Sequence, residues 1–205
     1  MTEPVSKGKN PLLKKSKIIS DNSNFLRMWV GHPLLTGAVA PSGKRLARKM
    51  ASYVSLDSEA PVIELGPGTG PVTEALIERG IPESSLILVE YSGDFCKMLK
   101  ARFPQATIVQ GDAYTLPETL KDILYKPARA TVSSLPLMTK SSSIRSALLK
   151  EAQNLMEQDA PFIQFTYALV PPIEPQPEFY TANASKRIWK NVPPARVWVY
   201  RKKNG

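Results

Sequence analysis

The sequence is short of cysteine, histidine and long apolar runs, and each shortage excludes a class of protein or site. Cys96 is the only cysteine among 205 residues, so the chain can form no internal disulfide bond, which suits a reducing compartment. His32 is the only histidine, and no side chains have the spacing of metal ligands, so we expect no metal site. No run approaches the ~18 apolar residues of a membrane-spanning helix, and the N-terminal stretch lacks the apolar region of a secretory signal.

Positive charge, by contrast, is abundant and lies at the two ends of the chain. Residues 1–50 have ten Lys and Arg against two acids, and residues 186–205 have seven against none. Residues 51–185 have ten against sixteen, so a mildly acidic centre is flanked by two basic ends, and the net charge is +9. Basic ends of this kind favour anionic partners, which include a lipid surface, a nucleic acid and an acidic protein.

The central motif is a glycine-rich turn that joins a short apolar run to an amphipathic run. Val62–Leu65 is predicted to be a buried strand, and three glycines at alternate positions follow it, before a helical pattern over 72–79. Glycine lets the backbone turn tightly and approach a ligand without Cβ clashes. The spacing differs from the G-x-G-x-x-G of dinucleotide-binding proteins. With Glu64 two residues ahead, it resembles the E-x-G-x-G-x-G loop of class I methyltransferases, which bind S-adenosylmethionine.

Two further predicted strands end in acids. The apolar run from Ser85 ends at Glu90, 20 residues after Gly70, where a carboxylate can hold both ribose hydroxyls of a nucleoside. The next run ends in Gly-Asp at Asp112, a position that contacts the adenine amino group in methyltransferases. Each acid alone is also compatible with a solvated strand end. Three such strand ends in register favour cofactor binding.

Strand-like and helix-like segments alternate along the chain. We predict strands near 62–65, 86–90, 106–109, 129–133, 161–167, 186–190 and 196–202, helices near 70–79, 93–102 and 143–157, and a helix capped by Ser42 that runs through Lys44 to Tyr53. Such alternation implies a parallel sheet with right-handed crossovers. Residues 191–194 are too short for a crossover, so the last two strands should form an antiparallel hairpin. The predicted fold is α/β, a Rossmann-like doubly wound seven-stranded sheet, mostly parallel with the last strand antiparallel.

The N-terminal residues 1–33 form a predicted basic amphipathic segment that precedes a methyltransferase domain over residues 34–205. Apolar side chains recur at helical spacing up to Val30, and Pro33 should end the helix. Basic and aromatic side chains on one helix resemble an interfacial membrane helix, and packing of the stripe on the domain's own core is the alternative. The residues predicted to bind the membrane are Lys14, Lys15, Lys17, Phe25, Arg27 and Trp29.

The fourth predicted strand ends in Ser133-Ser-Leu-Pro-Leu137, at the edge of an open α/β sheet where ligands bind. This stretch corresponds to the N/D-P-P-Y-type element of amino-methylating enzymes, in which a side-chain oxygen and a backbone carbonyl hold the attacking amine. Ser133, Ser134 and the carbonyl of Leu135 are the candidate holders. The alternative is a proline-stiffened turn without such a role.

Together these stretches resemble the bacterial phospholipid N-methyltransferases of the rhizobial type, from about residue 23 to residue 200. The resemblance is carried by Phe25-Leu-Arg-Met-Trp29, by His32 to Ser42, by Val62 to Gly70, by Ser134-Leu-Pro-Leu137, by Gln164-Phe-Thr-Tyr167 and by Trp189 to Ala195. It implies methylation of phosphatidylethanolamine towards phosphatidylcholine, with S-adenosylmethionine as the methyl donor and S-adenosylhomocysteine as product. Ala168 departs from the family, whose members tend to have glycine there, so the lipid and the number of methyl additions stay open.

The resemblance also implies roles for individual residues. The predicted cofactor contacts are Glu64, Gly66, Gly68, Thr69, Gly70, Glu90, Tyr91, Asp112, Ala113 and Ser133. The predicted catalytic residues are Ser134, Leu135 and Tyr167, of which Tyr167 is a candidate for orienting the amine or relaying its proton, with core packing as its alternative. Aromatic faces suit a methylated ammonium, so Tyr180 and Trp189 are predicted substrate contacts, and Arg187 is a candidate partner of the lipid phosphate.

Two other functions compete with this interpretation. The Leu-Pro-Leu element and basic ends also resemble ribosomal RNA adenine dimethyltransferases, but those usually have an aromatic residue after the proline to stack the target base, and Leu137 cannot stack. They usually add a helical C-terminal domain, which we do not expect here. A binding module without activity is the second, and the intact glycine loop argues against it.

We therefore expect an anionic membrane and an amino-phospholipid as partners, no nucleic acid, and a peripheral location on the inner face of a bacterial cytoplasmic membrane. The oligomeric state is left open.

Overall fold

Seven strands form one sheet in the computed structural model, which describes residues 41–189, 191 and 193–203. The strands are β1 (Val62–Leu65), β2 (Leu86–Glu90), β3 (Thr107–Gln110), β4 (Ala130–Ser133), β5 (Phe162–Thr166), β6 (Tyr180–Ala184) and β7 (Arg196–Lys202). The helices of the described residues are α1 (Pro41–Ala51), α2 (Pro71–Arg79), α3 (Gly93–Arg102), α4 (Leu116–Leu120) and α5 (Ser142–Asn154). The predicted membrane-binding segment, residues 1–33, lies outside the described residues.

The strands stand in the order β3-β2-β1-β4-β5-β7-β6. The first five pair in parallel, with Val62 opposite both Leu86 and Ala130. Only β7 is reversed, because it pairs antiparallel with β5 on one side and with β6 on the other. Six strands therefore run one way and one runs against them, which confirms the predicted class I methyltransferase fold.

The sixth strand is not where the sequence predicts it. Strand β6 covers Tyr180–Ala184 instead of 186–190, and Ile188 makes only an isolated bridge to Ala195. Pro193 and Pro194 have no backbone N–H, so the chain beside the turn cannot continue a ladder, and pairing begins farther from it. The antiparallel pairing of the last two strands is confirmed.

The helix boundaries differ from the prediction by a few residues. Helix α1 covers Pro41–Ala51, so Ser42 lies within it and the helix ends two residues before the predicted Tyr53. Proline is favoured in the first turn of a helix because its missing N–H has no partner there in any helix. Helix α5 ends at Asn154 instead of near 157, and the five-residue helix α4 was not predicted.

Alternate residues of each strand point into two separate apolar layers. Val62 packs with α1, α2 and α3, whereas Ile63 and Leu65 pack with α4 and α5. Glu64 has the same parity as Val62, so its carboxyl points towards the layer of α1 and α2. This arrangement places a carboxylic acid inside the core, directly ahead of the glycine turn. None of the described helices combines the length and the apolar composition needed to cross a membrane.

Candidate active site

The turns that follow the parallel strands meet at one edge of the sheet. Gly66 N donates to Val89 O at 2.9 Å, and Ser134 N donates to Leu65 O at 2.9 Å. Gly111 N donates to Glu90 O at 3.1 Å in the same way. The strand pairing therefore continues one residue past each strand and brings the ends of β1, β2, β3 and β4 to a common level. We call this side of the sheet the carboxyl edge.

The glycine turn is held in a conformation that favours glycine. Gly66, Gly68 and Gly70 have φ angles of 65°, 56° and 83°. A Cβ at Gly70 would lie 2.5 Å from Phe103 Cε2, so this glycine lets the turn pack on the end of α3. A Cβ at Gly68 would meet no atom within 4 Å and would point into open space. The loop thus presents bare backbone to that space. Thr69 is exposed, and its carbonyl accepts a hydrogen bond from Arg102 Nη1 at 2.5 Å.

Glu90 ties the glycine turn to the start of α3. Its carboxylate is only 1% exposed, and Oε2 accepts from Gly68 N at 3.1 Å while Oε1 accepts from Ser92 N at 2.9 Å. Each carboxylate oxygen keeps a further lone pair, so both remain able to accept from a vicinal diol. Tyr91, the next residue, is 59% exposed beside it.

Glu64 is fully buried behind the glycine turn. Thr73 Oγ1, on α2, donates to Oε2 at 2.7 Å, and Oε1 has no hydrogen-bond partner among the described residues. Burial raises the pKa of the Glu64 carboxyl to about 8; the hydrogen bond from Thr73 opposes this rise, and the charge of Glu90 adds to it. The carboxyl is therefore mostly protonated at pH 7. It retains an unpaired oxygen that a ligand with N–H or O–H groups can satisfy.

The turn after β3 places Asp112 beside the same space. Asp112 is exposed, and its Oδ1 accepts from Tyr114 N at 2.9 Å. Ala113 is buried beneath it. The sequence analysis missed Tyr114, whose hydroxyl is buried without a partner among the described residues and whose ring lies 5.0 Å from Lys140 Nζ. Burial raises the pKa of Tyr114 to about 12. Tyr114 and Lys140 thus connect the turns that follow β3 and β4.

The turn after β4 differs from the predicted amine-holding arrangement. The carbonyl of Leu135 accepts from Leu137 N at 2.9 Å and from Gln164 Nε2 at 3.1 Å. A carbonyl oxygen has two lone pairs, so this predicted holder of the amine is already fully occupied. Ser133 Oγ accepts from Leu135 N at 3.4 Å, which leaves the half-buried hydroxyl of Ser134 as the acceptor without a partner among the described residues.

Gln164 is a second residue that the sequence analysis missed as part of the site. Its side chain is 1% exposed, and Nε2 donates to the carbonyls of Leu135 and Phe165 at 3.1 and 2.8 Å. Because both partners are acceptors, the nitrogen has to face them, and Oε1 is left buried without a partner among the described residues. Gln164 therefore fixes the conformation of the turn after β4 from the neighbouring strand.

The predicted substrate-binding aromatic residues divide into two groups. Tyr167 follows the end of β5 and is 38% exposed; burial of its hydroxyl raises its pKa, and a hydrogen bond with the side chain of Asn191 lowers it less. Trp189 is 74% exposed, with Arg187 Cζ 6.0 Å from its ring centroid. Tyr180 lies at the start of β6, at the opposite edge of the sheet, where it is 5% exposed and its hydroxyl donates to Glu174 O. The structure therefore does not bring Tyr180 together with Tyr167 and Trp189, because strand β6 begins earlier than predicted and takes this ring into the core.

Comparison with known proteins agrees with this geometry. Residues 44–163, more than half of the chain, match the family model described as ribosomal RNA adenine dimethylase. An ornithine lipid N-methyltransferase from Singulisphaera acidiphila is 28% identical over 145 residues, which are 69% of this chain and 76% of that protein. A ribosomal RNA small subunit methyltransferase A from a Synechococcus species is 33% identical over 95 residues, which are 45% of this chain and only 30% of that protein.

Among solved structures, a TehB-like SAM-dependent methyltransferase from Corynebacterium glutamicum superposes with a TM-score of 0.60 at 16% identity, over 90% of this chain and 99% of that one. The open space that a Cβ at Gly68 would enter and the unpaired buried oxygen of Glu64 fit S-adenosylmethionine, because the bare backbone lets a ligand approach and the oxygen can accept a hydrogen bond from an N–H group. The chain belongs to the ribosomal RNA adenine dimethylase family and is a class I methyltransferase with S-adenosylmethionine as its cofactor.

Proposed function

We propose that this methyltransferase acts on the headgroup amine of phosphatidylethanolamine and of its mono- and dimethyl forms, towards phosphatidylcholine. The observation that carries the proposal is the environment of Leu137. This residue stands where an enzyme acting on a flipped base needs an aromatic face, and it is 2% exposed within the apolar layer of α4 and α5. A buried aliphatic side chain cannot stack a base, whereas a small aliphatic amine needs no such platform.

The residues at the carboxyl edge can receive such an amine. Bound S-adenosylmethionine supplies an electrophilic methyl group, so the acceptor amine has to be neutral. A primary amine has a pKa near ~10 in water, and burial beside a positive charge lowers it. The hydroxyl of Ser134, which has no partner in the part of the chain that the structure describes, can accept an N–H of the amine. Tyr167 can orient the amine but is a poor base at neutral pH, because burial raises the pKa of a hydroxyl that is ordinarily protonated there.

The lipid-modifying relative supports the same substrate class. Its match extends over 76% of that ornithine lipid N-methyltransferase, whereas the match to the ribosomal RNA enzyme covers 30% of it. A primary amine on a lipid is common to ornithine lipid and phosphatidylethanolamine. We propose that the enzyme is peripheral on the inner face of a bacterial cytoplasmic membrane, held in part by the basic residues 1–33.

The ribosomal RNA alternative has its own support, because the family model and the basic ends are compatible with an adenine N6-dimethyltransferase. Lipid mass spectrometry of cells that express the chain distinguishes the two functions. We expect mono-, di- or trimethylated phosphatidylethanolamine in those cells and none in cells expressing the Glu90→Ala variant. Methylated ornithine lipid without methylated phosphatidylethanolamine would assign a different amino lipid, and N6-dimethyladenine in RNA with unchanged lipids would contradict the proposal.

Removal of residues 1–33 tests the proposed membrane segment separately. The segment has basic residues at Lys7, Lys9, Lys14, Lys15, Lys17 and Arg27. Because each basic residue near an anionic leaflet contributes about 1 kcal/mol, the truncated chain should bind anionic vesicles at least tenfold more weakly. Equal sedimentation of the two proteins with phosphatidylglycerol vesicles would show that this segment is not an anchor.

A further inference from the structure

Charge is divided sharply along the carboxyl edge. The turns that we assign to the cofactor, residues 66–74, 90–96 and 110–120, contain acids and no Lys or Arg. Residues 134–145, after β4, and 185–195, between β6 and β7, contain Lys and Arg and no acid. Residues 167–173, which begin the connection after β5, contain no charged residue, and its two acids, Glu174 and Glu178, come later, towards the start of β6. The half of the edge next to Ser134 and Tyr167, where the acceptor would arrive, is therefore basic.

Four large apolar side chains are exposed on this basic half. Met138, Leu169, Val170 and Trp189 are 46%, 81%, 55% and 74% exposed, and we call them the apolar rim. Exposed apolar side chains scattered singly are ordinary, whereas contiguous ones mark interaction sites for proteins, membranes or ligands. Leu169 and Val170 are adjacent in the connection that follows Tyr167, so they stand beside the site.

The rim is presented by fixed backbone. On one side of Leu169, Ala168 N donates to Thr166 Oγ1 at 3.0 Å. On the other side, Arg145 Nη1 donates to Pro172 O at 2.5 Å, and the same nitrogen contacts Met138 Sδ at 3.5 Å. These contacts join the connections after β4 and β5. The exposed aliphatic groups are thus held outward between two anchored points.

We infer that the apolar rim enters the interfacial region of an anionic bilayer and seats the active site on the membrane. This inference rests on the proposed function, since it places the site at the depth of a lipid headgroup. Lys186 and Arg187 beside the rim complement anionic headgroups, and tryptophan is favoured at membrane interfaces. A single-stranded RNA stacks its bases on aromatic or guanidinium faces. Trp189 beside Arg187 is the one such platform in the rim, whereas Met138, Leu169 and Val170 have no π face.

The test uses the full chain and vesicles of phosphatidylglycerol and phosphatidylcholine, which contain no primary or secondary amine to methylate. The Leu169→Ser/Val170→Ser variant should bind these vesicles about tenfold more weakly, or weaker still, because two apolar side chains are lost from the contact. Leu56→Ser is the matched control, because Leu56 is 50% exposed but precedes β1 at the opposite edge of the sheet. The conservative Leu169→Met/Val170→Ile variant should bind like the parent. Thermal unfolding at the parental temperature shows that the serine variant is folded.

Unchanged vesicle binding by the serine variant, or an equal loss in Leu56→Ser, would overturn the inference. A loss of RNA binding without a loss of vesicle binding would overturn it too. Methyl transfer to phosphatidylethanolamine in detergent micelles separates this inference from the proposed function. If micellar lipid is methylated but the serine variant binds vesicles like the parent, the inference fails and the proposed function stands. If vesicle binding depends on the rim but no amino lipid is methylated, the function fails and the rim stands.

Discussion

An alanine at Gly68 should weaken cofactor binding far more than its effect on stability explains. Gly68 has a φ of 56°, and a Cβ there would point into open space above the glycine turn. Gly80 ends α2 at the other edge of the sheet with a φ of 109°, and a Cβ there also meets nothing within 4 Å. Both glycines therefore impose a backbone penalty on alanine, in different places, and the penalty at Gly80 is at least as large because its φ lies farther from the left-handed helical region.

Comparison of these two glycines gives the expected losses of stability and of cofactor affinity. A left-handed backbone costs an L-residue about 1–2 kcal/mol, so Gly68→Ala should lower the free energy of unfolding by about that amount, and Gly80→Ala by at least as much. Only the methyl group at position 68 enters the space that we assign to the cofactor. We expect at least a tenfold loss of affinity there, about 1.4 kcal/mol, and an unchanged affinity in Gly80→Ala.

Calorimetric titration with S-adenosylhomocysteine, together with urea unfolding, measures both quantities on the same samples. If Gly68→Ala binds the nucleoside as tightly as Gly80→Ala does, the ligand does not lie over the glycine turn and our assignment of the site is wrong. A loss of affinity in both variants would attribute the effect to general destabilisation instead.

Three further predictions concern buried or half-buried polar groups. The pKa of Glu64 is raised from 4.5 to about 8, so the folded protein holds this proton more tightly than the unfolded chain does, and the free energy of unfolding should fall by a few kcal/mol as the pH rises from about 4.5 to 8. Urea unfolding of Glu64→Gln should show no such decline, and an unaltered pH dependence would contradict the burial of a protonated acid. Gln164→Met removes two hydrogen bonds to carbonyls, so it should lower the free energy of unfolding in urea by about 1–3 kcal/mol and lower kcat with little change in cofactor affinity. An unchanged kcat would show that catalysis does not depend on these bonds to the turn after β4. Tyr167→Phe should leave the shape of the pH–rate profile between pH 7 and 9 unchanged, because burial raises the pKa of this hydroxyl and keeps it protonated over that range. If the variant loses the rise in rate at high pH that the parent shows, Tyr167 would be identified as a proton acceptor.

The sheet and the cofactor half of the site follow closely from the sequence. Glu64, Glu90 and Asp112 each end or adjoin an apolar run, and parallel pairing with short turns leaves one arrangement in which those ends meet. The tight turn predicted from the alternate glycines is present, and all three have positive φ angles. These features depend on local pattern, which is why the sequence alone predicts them.

The substrate half depends on packing between segments far apart in the sequence. Gln164 donates a hydrogen bond to the carbonyl of Leu135, 29 positions earlier in the sequence. No local sequence pattern around either residue predicts that contact. Tyr114 meets Lys140 only because the turns after β3 and β4 approach each other. The position of Tyr180 away from the site has a simpler cause. An error of six residues at the start of β6 moves a residue from one edge of the sheet to the other, since the strand runs between them.

The central claim is that the carboxyl edge delivers a methyl group to a lipid amine. Its most direct test is one reaction that contains the purified chain, labelled S-adenosylmethionine, phosphatidylethanolamine vesicles with phosphatidylglycerol, and unmodified ribosomal RNA. We predict that the label enters the organic phase as methylated phosphatidylethanolamine and that the RNA remains unlabelled. Label recovered as N6-methylated adenine, with none in the lipid, would contradict the account.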